Sequence, residues 1–137
     1  MVLYGSAVCK RQMKERNNRM IRKANECTVE YKEHMRGGPG TVKLTSFIGS
    51  DADLNGKGRL FSRITLEPGC GIGFHMHEGE SELFYIIKGT PHYLDGDPDN
   101  AVLLSPGDVT ICPSGTGHGV ENRSQETVEM VALIPYA

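Results

Sequence analysis

An all-β sandwich or barrel is the fold class this chain predicts, and three features of the sequence predict it. Seventeen glycines and seven prolines are present, and from Gly37 onward they punctuate the chain at short intervals. Between them lie short runs rich in β-branched and apolar residues, at 42–48, 59–66, 82–87, 101–104, 108–112 and 127–134. Short apolar runs with turn residues between them are the pattern of a strand-only domain. The third feature is that strands and helices do not alternate, which argues against a parallel α/β sheet.

The length of 137 residues supports one domain with a modest core. Apolar residues make up 38% and charged residues 23%, ordinary values for a globular chain. A net charge of -2 offers no polyanion-binding surface, so no nucleic-acid partner is expected. No apolar run is long enough to cross a bilayer, and no membrane association is expected. The basic residues Lys10, Arg11 and Lys14 follow the mildly apolar start instead of preceding it, the wrong order for a secretory signal. The expected location is cytoplasmic. The four cysteines, Cys9, Cys27, Cys70 and Cys112, form no C-x-x-C pair and read as apolar fillers or free thiols.

Residues 1–35 differ from the rest. They are polar and charged, and they lack glycine after Gly5. Residues 11–24 have helical composition, but Met13, Met20 and Ile21 make a thin apolar stripe. The segment reads as an N-terminal extension: a helix, an arm or an unstructured lead. Lys14-Glu15-Arg16 also fits a purine-rich coding stretch ahead of a translation start at Met20. An intact mass that includes residues 1–19, measured on protein from the natural host, excludes that start. Residues 36–40, Arg36-Gly37-Gly38-Pro39-Gly40, form a turn-rich hinge into a barrel spanning 36–137. Residues 95–100 are an acidic loop tip explained by turn chemistry; they lack the glycine and glutamate of a calcium loop.

The chemistry concentrates after residue 69. In His75-Met76-His77 the two imidazoles are two residues apart, so on a strand they face the same way, about 7 Å apart along the backbone. Glu82 opens the apolar run Leu83-Phe84-Tyr85-Ile86-Ile87. A carboxylate leading a core strand is costly to bury unless it is paired or ligates a metal. If Glu82 faces inward, Phe84 and Ile86 share its face while Leu83, Tyr85 and Ile87 face out. His118 follows the tight Pro113-Ser114-Gly115-Thr116-Gly117 loop and precedes a short strand. Three imidazoles and one carboxylate suit one divalent transition metal, Mn, Fe, Ni, Co or Zn, better than Ca or Mg.

These residues resemble the two signatures of the cupin superfamily. Gly69, His75, His77, Glu82 and Gly89 match the first signature at every spacing, and Gly107, Pro113, Gly115, His118 and Asn122 match the second. The resemblance implies a double-stranded β-helix, or jelly-roll, barrel with the metal inside it on His75, His77, Glu82 and His118, and Asn122 in a structural role. It extends to small single-barrel bacterial members that resemble oxalate-binding and oxalate-decarboxylase-like proteins, through residues 58–69.

Since cupins span many activities, the family alone does not name a reaction. The leading expectation is a metal-dependent enzyme, decarboxylase- or lyase-like, acting on a small organic acid by Lewis-acid catalysis. Tyr93 is the expected proton-transfer group, with His92 and Tyr85 weighed beside it. Arg59 is the expected anionic anchor, with Arg63 on the same strand face. Glu78 and Glu80 lie near enough in sequence to supply a further acid. The alternatives are a non-catalytic binding or sensor module for an organic acid or sugar, a sugar-phosphate isomerase, and a dioxygenase; a metal-stabilised structural protein is disfavoured by open coordination positions. A homodimer is expected from the family likeness.

Overall fold

The structure is a computed structural model, and it describes residues 20–137. The helix expected over 11–24 therefore falls mostly outside the described residues. From Met20 to Lys23 the chain is non-helical, and Ala24–Glu26 forms a single 3-10 turn.

Ten strands follow: β1 (Thr28–Glu33), β2 (Thr41–Ser46), β3 (Gly58–Leu66), β4 (Gly71–Met76), β5 (Glu82–Lys88), β6 (His92–Asp95), β7 (Ala101–Leu103), β8 (Val109–Cys112), β9 (Gly117–Glu121) and β10 (Val128–Pro135). They form two antiparallel sheets, one ordered β1-β2-β3-β10-β5-β8 and the other β4-β9-β6-β7. The jelly-roll expected from the sequence is what forms. Thr28–Glu33, part of the segment read as an extension, is a strand paired along its whole length with β2. All six residues of β1 are exposed, and its alternation is short, with Val29 and Tyr31 alone between polar neighbours, too little to mark a strand by itself.

Alternation governs the rest. Along β10, Val128, Met130, Ala132 and Ile134 turn inward, and along β3 Ile64 and Leu66 do the same. With Val42, Leu44, Phe84, Ile86 and Val120 they fill the space between the sheets. Asn122 clips the two sheets together. Its buried amide donates to the Leu66 carbonyl at 2.9 Å and the Glu126 carbonyl at 2.7 Å, and its Oδ1 accepts from the Ser124 backbone at 3.0 Å. That is the structural role expected of it. The acidic tip is a turn: Asp97 Oδ1 accepts from the Asp99 amide at 2.7 Å, and Gly96 takes a φ of 73°.

Candidate metal centre

β4 and β9 pair so that His75 lies directly across from His118. His77 sits just past the end of β4, where the loop before β9 fixes it: its amide donates to the Thr116 carbonyl at 2.9 Å, and its carbonyl accepts from Gly115 at 2.7 Å. Gly115 has a φ of 86°, which lets the chain turn sharply towards His118. Gly117 is tight for another reason, since a Cβ there would press into the Phe74 ring. Glu82 enters from the opposite sheet as the first residue of β5, facing inward with Phe84 and Ile86. Phe84 stacks on the His118 ring with centroids 5.0 Å apart. Tyr85 and Ile87 face outward and are exposed, as alternation requires.

The four donor atoms lie within 4.8 Å of one another. Nε2 of His77 is 3.1 Å from Nε2 of His75, 3.1 Å from Nε2 of His118 and 3.2 Å from Oε1 of Glu82. Glu82 Oε1 is 2.9 Å from His118 Nε2 and 4.0 Å from His75 Nε2. Each imidazole is engaged from behind through Nδ1. His75 donates to the Gly73 carbonyl at 2.8 Å, His77 to Glu80 Oε1 at 3.1 Å, and His118 Nδ1 meets the Tyr93 hydroxyl at 2.7 Å. With the protons on Nδ1, three bare Nε2 lone pairs and a carboxylate oxygen converge on one point. Four acceptors facing each other, three of them on buried residues, repel unless a cation lies between them. On a six-coordinate ion with bonds of about 2.1 Å, adjacent donors are about 3.0 Å apart and opposed donors about 4.2 Å. The observed separations fall in these two classes, so the residues fit one transition-metal ion.

In the ion-free protein, protons on the imidazoles stand in for the cation beside Glu82. Burial pushes the Glu82 carboxyl up, but hydrogen bonds from His118 and His77 outweigh it, and its pKa ends below the ordinary value. Burial lowers His75, whereas the hydrogen bond to Glu82 raises His77. In the ion-free protein a proton on His77 is the smallest cation that can relieve the cluster.

Glu80 is the supporting group that spacing did not reveal. Its Oε2 accepts from Arg59 Nε at 2.6 Å and its Oε1 from Arg59 Nη2 at 2.7 Å, while Oε1 also holds His77. The Arg59 fork, with His77 adding to it, depresses the Glu80 carboxyl to about 2. Arg59 reaches this point because of a bulge. Leu60 pairs with Ile134 and Gly58 with Pro135, so Arg59 is the unpaired extra residue, turned off the regular alternation. Arg63, four residues on, pairs regularly with Val131 and stays on the outer face. Tyr93 is buried behind His118, and burial raises its phenol well above the ordinary tyrosine value. His92 and Tyr85 do not meet the donor cluster; Glu78 is exposed.

A cavity of about 580 Å³ opens onto the cluster. His75, His77 and Glu82 lie at its buried end, and Arg59, Lys32, His34 and Arg36 on its exposed walls. The last three come from β1 and the turn after it. Their only signal in the sequence is a basic character shared with ordinary surface residues.

The profile described as "Cupin domain" matches residues 62–134. Over 122 residues, 89% of this chain and 98% of the relative, the sequence is 38% identical to an "Oxalate-binding protein" of Thermotoga maritima. With 36% identity and a TM-score of 0.80, the fold matches the crystal structure of a "predicted oxalate decarboxylase" from Thermotoga maritima, covering 86% of this chain and 100% of that one. A conserved protein with a double-stranded β-helix domain from Klebsiella pneumoniae shares the fold at 20% identity, with a TM-score of 0.61 over 86% of this chain and 90% of that one. The structure is a two-sheet jelly-roll that encloses a three-histidine, one-glutamate donor set able to hold a metal ion. The chain belongs to the cupin family. Among the described residues, no helix is long and apolar enough to cross a membrane.

Proposed function

We propose that this chain binds a small organic acid, of which oxalate is the simplest example, at a divalent transition metal held by His75, His77, Glu82 and His118. The observation that carries this reading is the position of the donor set at the buried end of a cavity whose exposed walls bear Lys32 and Arg36 beside one carboxylate, Glu33, with Arg59 paired to Glu80. An anion entering it meets positive charge at both ends. The 38% identity to an oxalate-binding protein over nearly the full length of both chains supports the same ligand class. The bound metal would supply Lewis acidity and a chelation point for the carboxylate. Around it, Gly73, Glu80 and Tyr93 hold the three imidazoles in register, which makes Tyr93 a positioning residue in this reading.

Lyase-like turnover, with decarboxylation as its simplest form, is the second reading. It is favoured by the likeness to a predicted oxalate decarboxylase. Turnover needs a residue that delivers a proton to the bound acid. Glu80, gripped by Arg59 and depressed to about 2, stays anionic, and the Tyr93 hydroxyl is committed to His118. Both features support binding ahead of proton transfer by these two groups.

The test is elemental analysis followed by calorimetric titration with oxalate, before and after chelator treatment, with formate and carbon dioxide assayed in parallel. One metal equivalent and metal-dependent oxalate binding are expected. Binding that persists unchanged without metal removes the proposal, and product formation moves the second reading to first. The expected homodimer has a candidate face in Tyr85, Ile87, Val109 and Ile111, exposed side chains on paired strands β5 and β8. Sedimentation showing a monomer at micromolar concentration removes it.

A further inference from the structure

Oxalate leaves most of the cavity unexplained. A volume of about 580 Å³ is far more than a two-carbon diacid fills, and pockets of roughly 300–1,000 Å³ ordinarily enclose much larger ligands. Between the donor set and the exposed rim, the wall is aliphatic, with Leu44, Leu60, Ile64, Ile72 and Ile134. Such a surface contributes to affinity only when a ligand covers it with hydrocarbon of its own. Oxalate has none.

The rim is a built structure. Arg36 has φ 54° and ψ 31°, a left-handed conformation that a non-glycine side chain adopts at a cost. His34, two residues before it, also has a positive φ, of 49°. The turn carrying both is wedged against β4, the strand that bears His75. The Arg36 carbonyl packs where Gly73 has no Cβ, and Gly38 lies against the Gly71 and Gly73 backbone, where a Cβ would not fit. The Gly73 carbonyl in turn receives the His75 Nδ1 proton. Rim and donor set thus share one backbone support.

Charges at the rim are unequally satisfied. Glu80 takes two of Arg59's donor nitrogens. Lys32 has only a loose pairing with Glu30 at 3.8 Å, and Glu33 adds one carboxylate to the wall. The Arg36 side chain has no ion pair or hydrogen bond among the described residues, although it lines the cavity.

We infer that the ligand is a dianionic acid longer than oxalate: a 2-hydroxy- or 2-oxo-carboxylate head for the metal, a short hydrocarbon middle against the aliphatic wall, and a distal carboxylate held at the rim by Arg36 and Lys32. This rests on the acid-binding reading above and adds the length and second charge of the ligand.

The test is a calorimetric titration of the metal-loaded full chain with 2-hydroxyglutarate and 2-hydroxyvalerate, beside oxalate. The two hydroxy acids share the chelating head and carbon count and differ in the distal carboxylate. The wild-type chain should bind 2-hydroxyglutarate about tenfold more tightly than 2-hydroxyvalerate, the size of one charge-assisted contact. In Arg36→Gly that ratio should fall to about two or less. Glycine is free of steric cost at this left-handed position, so the substitution does not threaten the fold. Lys32→Gln should lower the ratio by a smaller factor. Equal wild-type affinity for the two hydroxy acids overturns the inference, as does a ratio unchanged in both variants. If oxalate binds and 2-hydroxyglutarate gains nothing over 2-hydroxyvalerate, only this inference falls. If none of the three binds the metal-loaded chain, the acid-binding reading falls with it.

Discussion

At the buried end of the cavity, His75, His77, Glu82 and His118 arrive from both sheets, and His77, Glu82 and His118 are buried. At the rim, Lys32, His34 and Arg36 come from one continuous segment and stand in solvent. Every side chain at the first end is oriented by a second partner behind it: Gly73, Glu80 and Tyr93 for the imidazoles, and the imidazoles themselves for Glu82. At the rim the backbone is held by the close approach of the turn to β4, and the side-chain contacts are local: His34 Nδ1 donates to the Gly38 carbonyl at 3.2 Å and Lys32 lies 3.8 Å from Glu30. The difference teaches that side-chain hydrogen bonds concentrate on the candidate donor set, whereas the positive-φ backbone concentrates in the turn at the rim.

The largest expected effect comes from breaking the buried end. His77→Ala should lower metal affinity by at least about 100-fold, more than an outer-shell loss costs, as read by elemental analysis after gel filtration. Full stoichiometry in that variant would remove His77 from the ligand set. Glu80→Gln keeps the shape but removes the charge that holds His77, and should cost about 10- to 100-fold in metal affinity, measured by chelator competition. Arg59→Ala should follow it more weakly, through Glu80.

The pH dependence separates the two contributions. A carboxyl depressed to about 2 adds stability that is present above the usual carboxylate range and is lost only as pH falls towards 2. Metal released between about pH 7 and 5 therefore reports imidazole protonation. Losing the Glu80 charge weakens the competing proton on His77 as well as the ion, but a divalent ion loses more, so in Glu80→Gln the release midpoint should move to higher pH; a midpoint that moves to lower pH would show that Glu80 holds the proton and not the ion.

Smaller effects sharpen the comparison from the packing side. Gly73→Ala forces a Cβ onto the Arg36 carbonyl and should cost about 1–3 kcal/mol in denaturant unfolding, with weakening at both ends of the cavity because they share this support. Tyr93→Phe leaves the buried His118 Nδ1 without its partner and should cost about 1–3 kcal/mol. Arg36→Gly should be smallest, within about 1 kcal/mol of the wild-type unfolding free energy, because glycine relieves the left-handed strain while loosening the unfolded chain. A loss well beyond that would mean the Arg36 side chain serves the fold and not a ligand.

The buried end was legible in the sequence because its parts are local. His75 and His77 share a face by alternation, Glu82 leads an apolar run, and glycines at 107 and 115 mark the turns that deliver His118. Alternation also placed Phe84 and Ile86 inside and Tyr85 and Ile87 outside. Tyr93 was noticed, but its contact with the back of His118 was not visible, because the two are 25 residues apart and meet only when β6 pairs with β9. Arg59 was separated from Arg63 by a bulge opposite Ile134 and Pro135, which only the partner strand reveals.

The sequence by itself determined the all-β class, the face shared by Glu82, Phe84 and Ile86, and the four candidate donors, since each rests on the two-residue period of a strand and on glycine turns at short range. Tertiary structure alone decided that the donors converge at 3 Å separations, that Glu80 links Arg59 to His77, and that exposed β1 and its turn belong to the cavity wall. β1 buries nothing of its own; it is held by backbone pairing with β2, and backbone groups are alike in every residue.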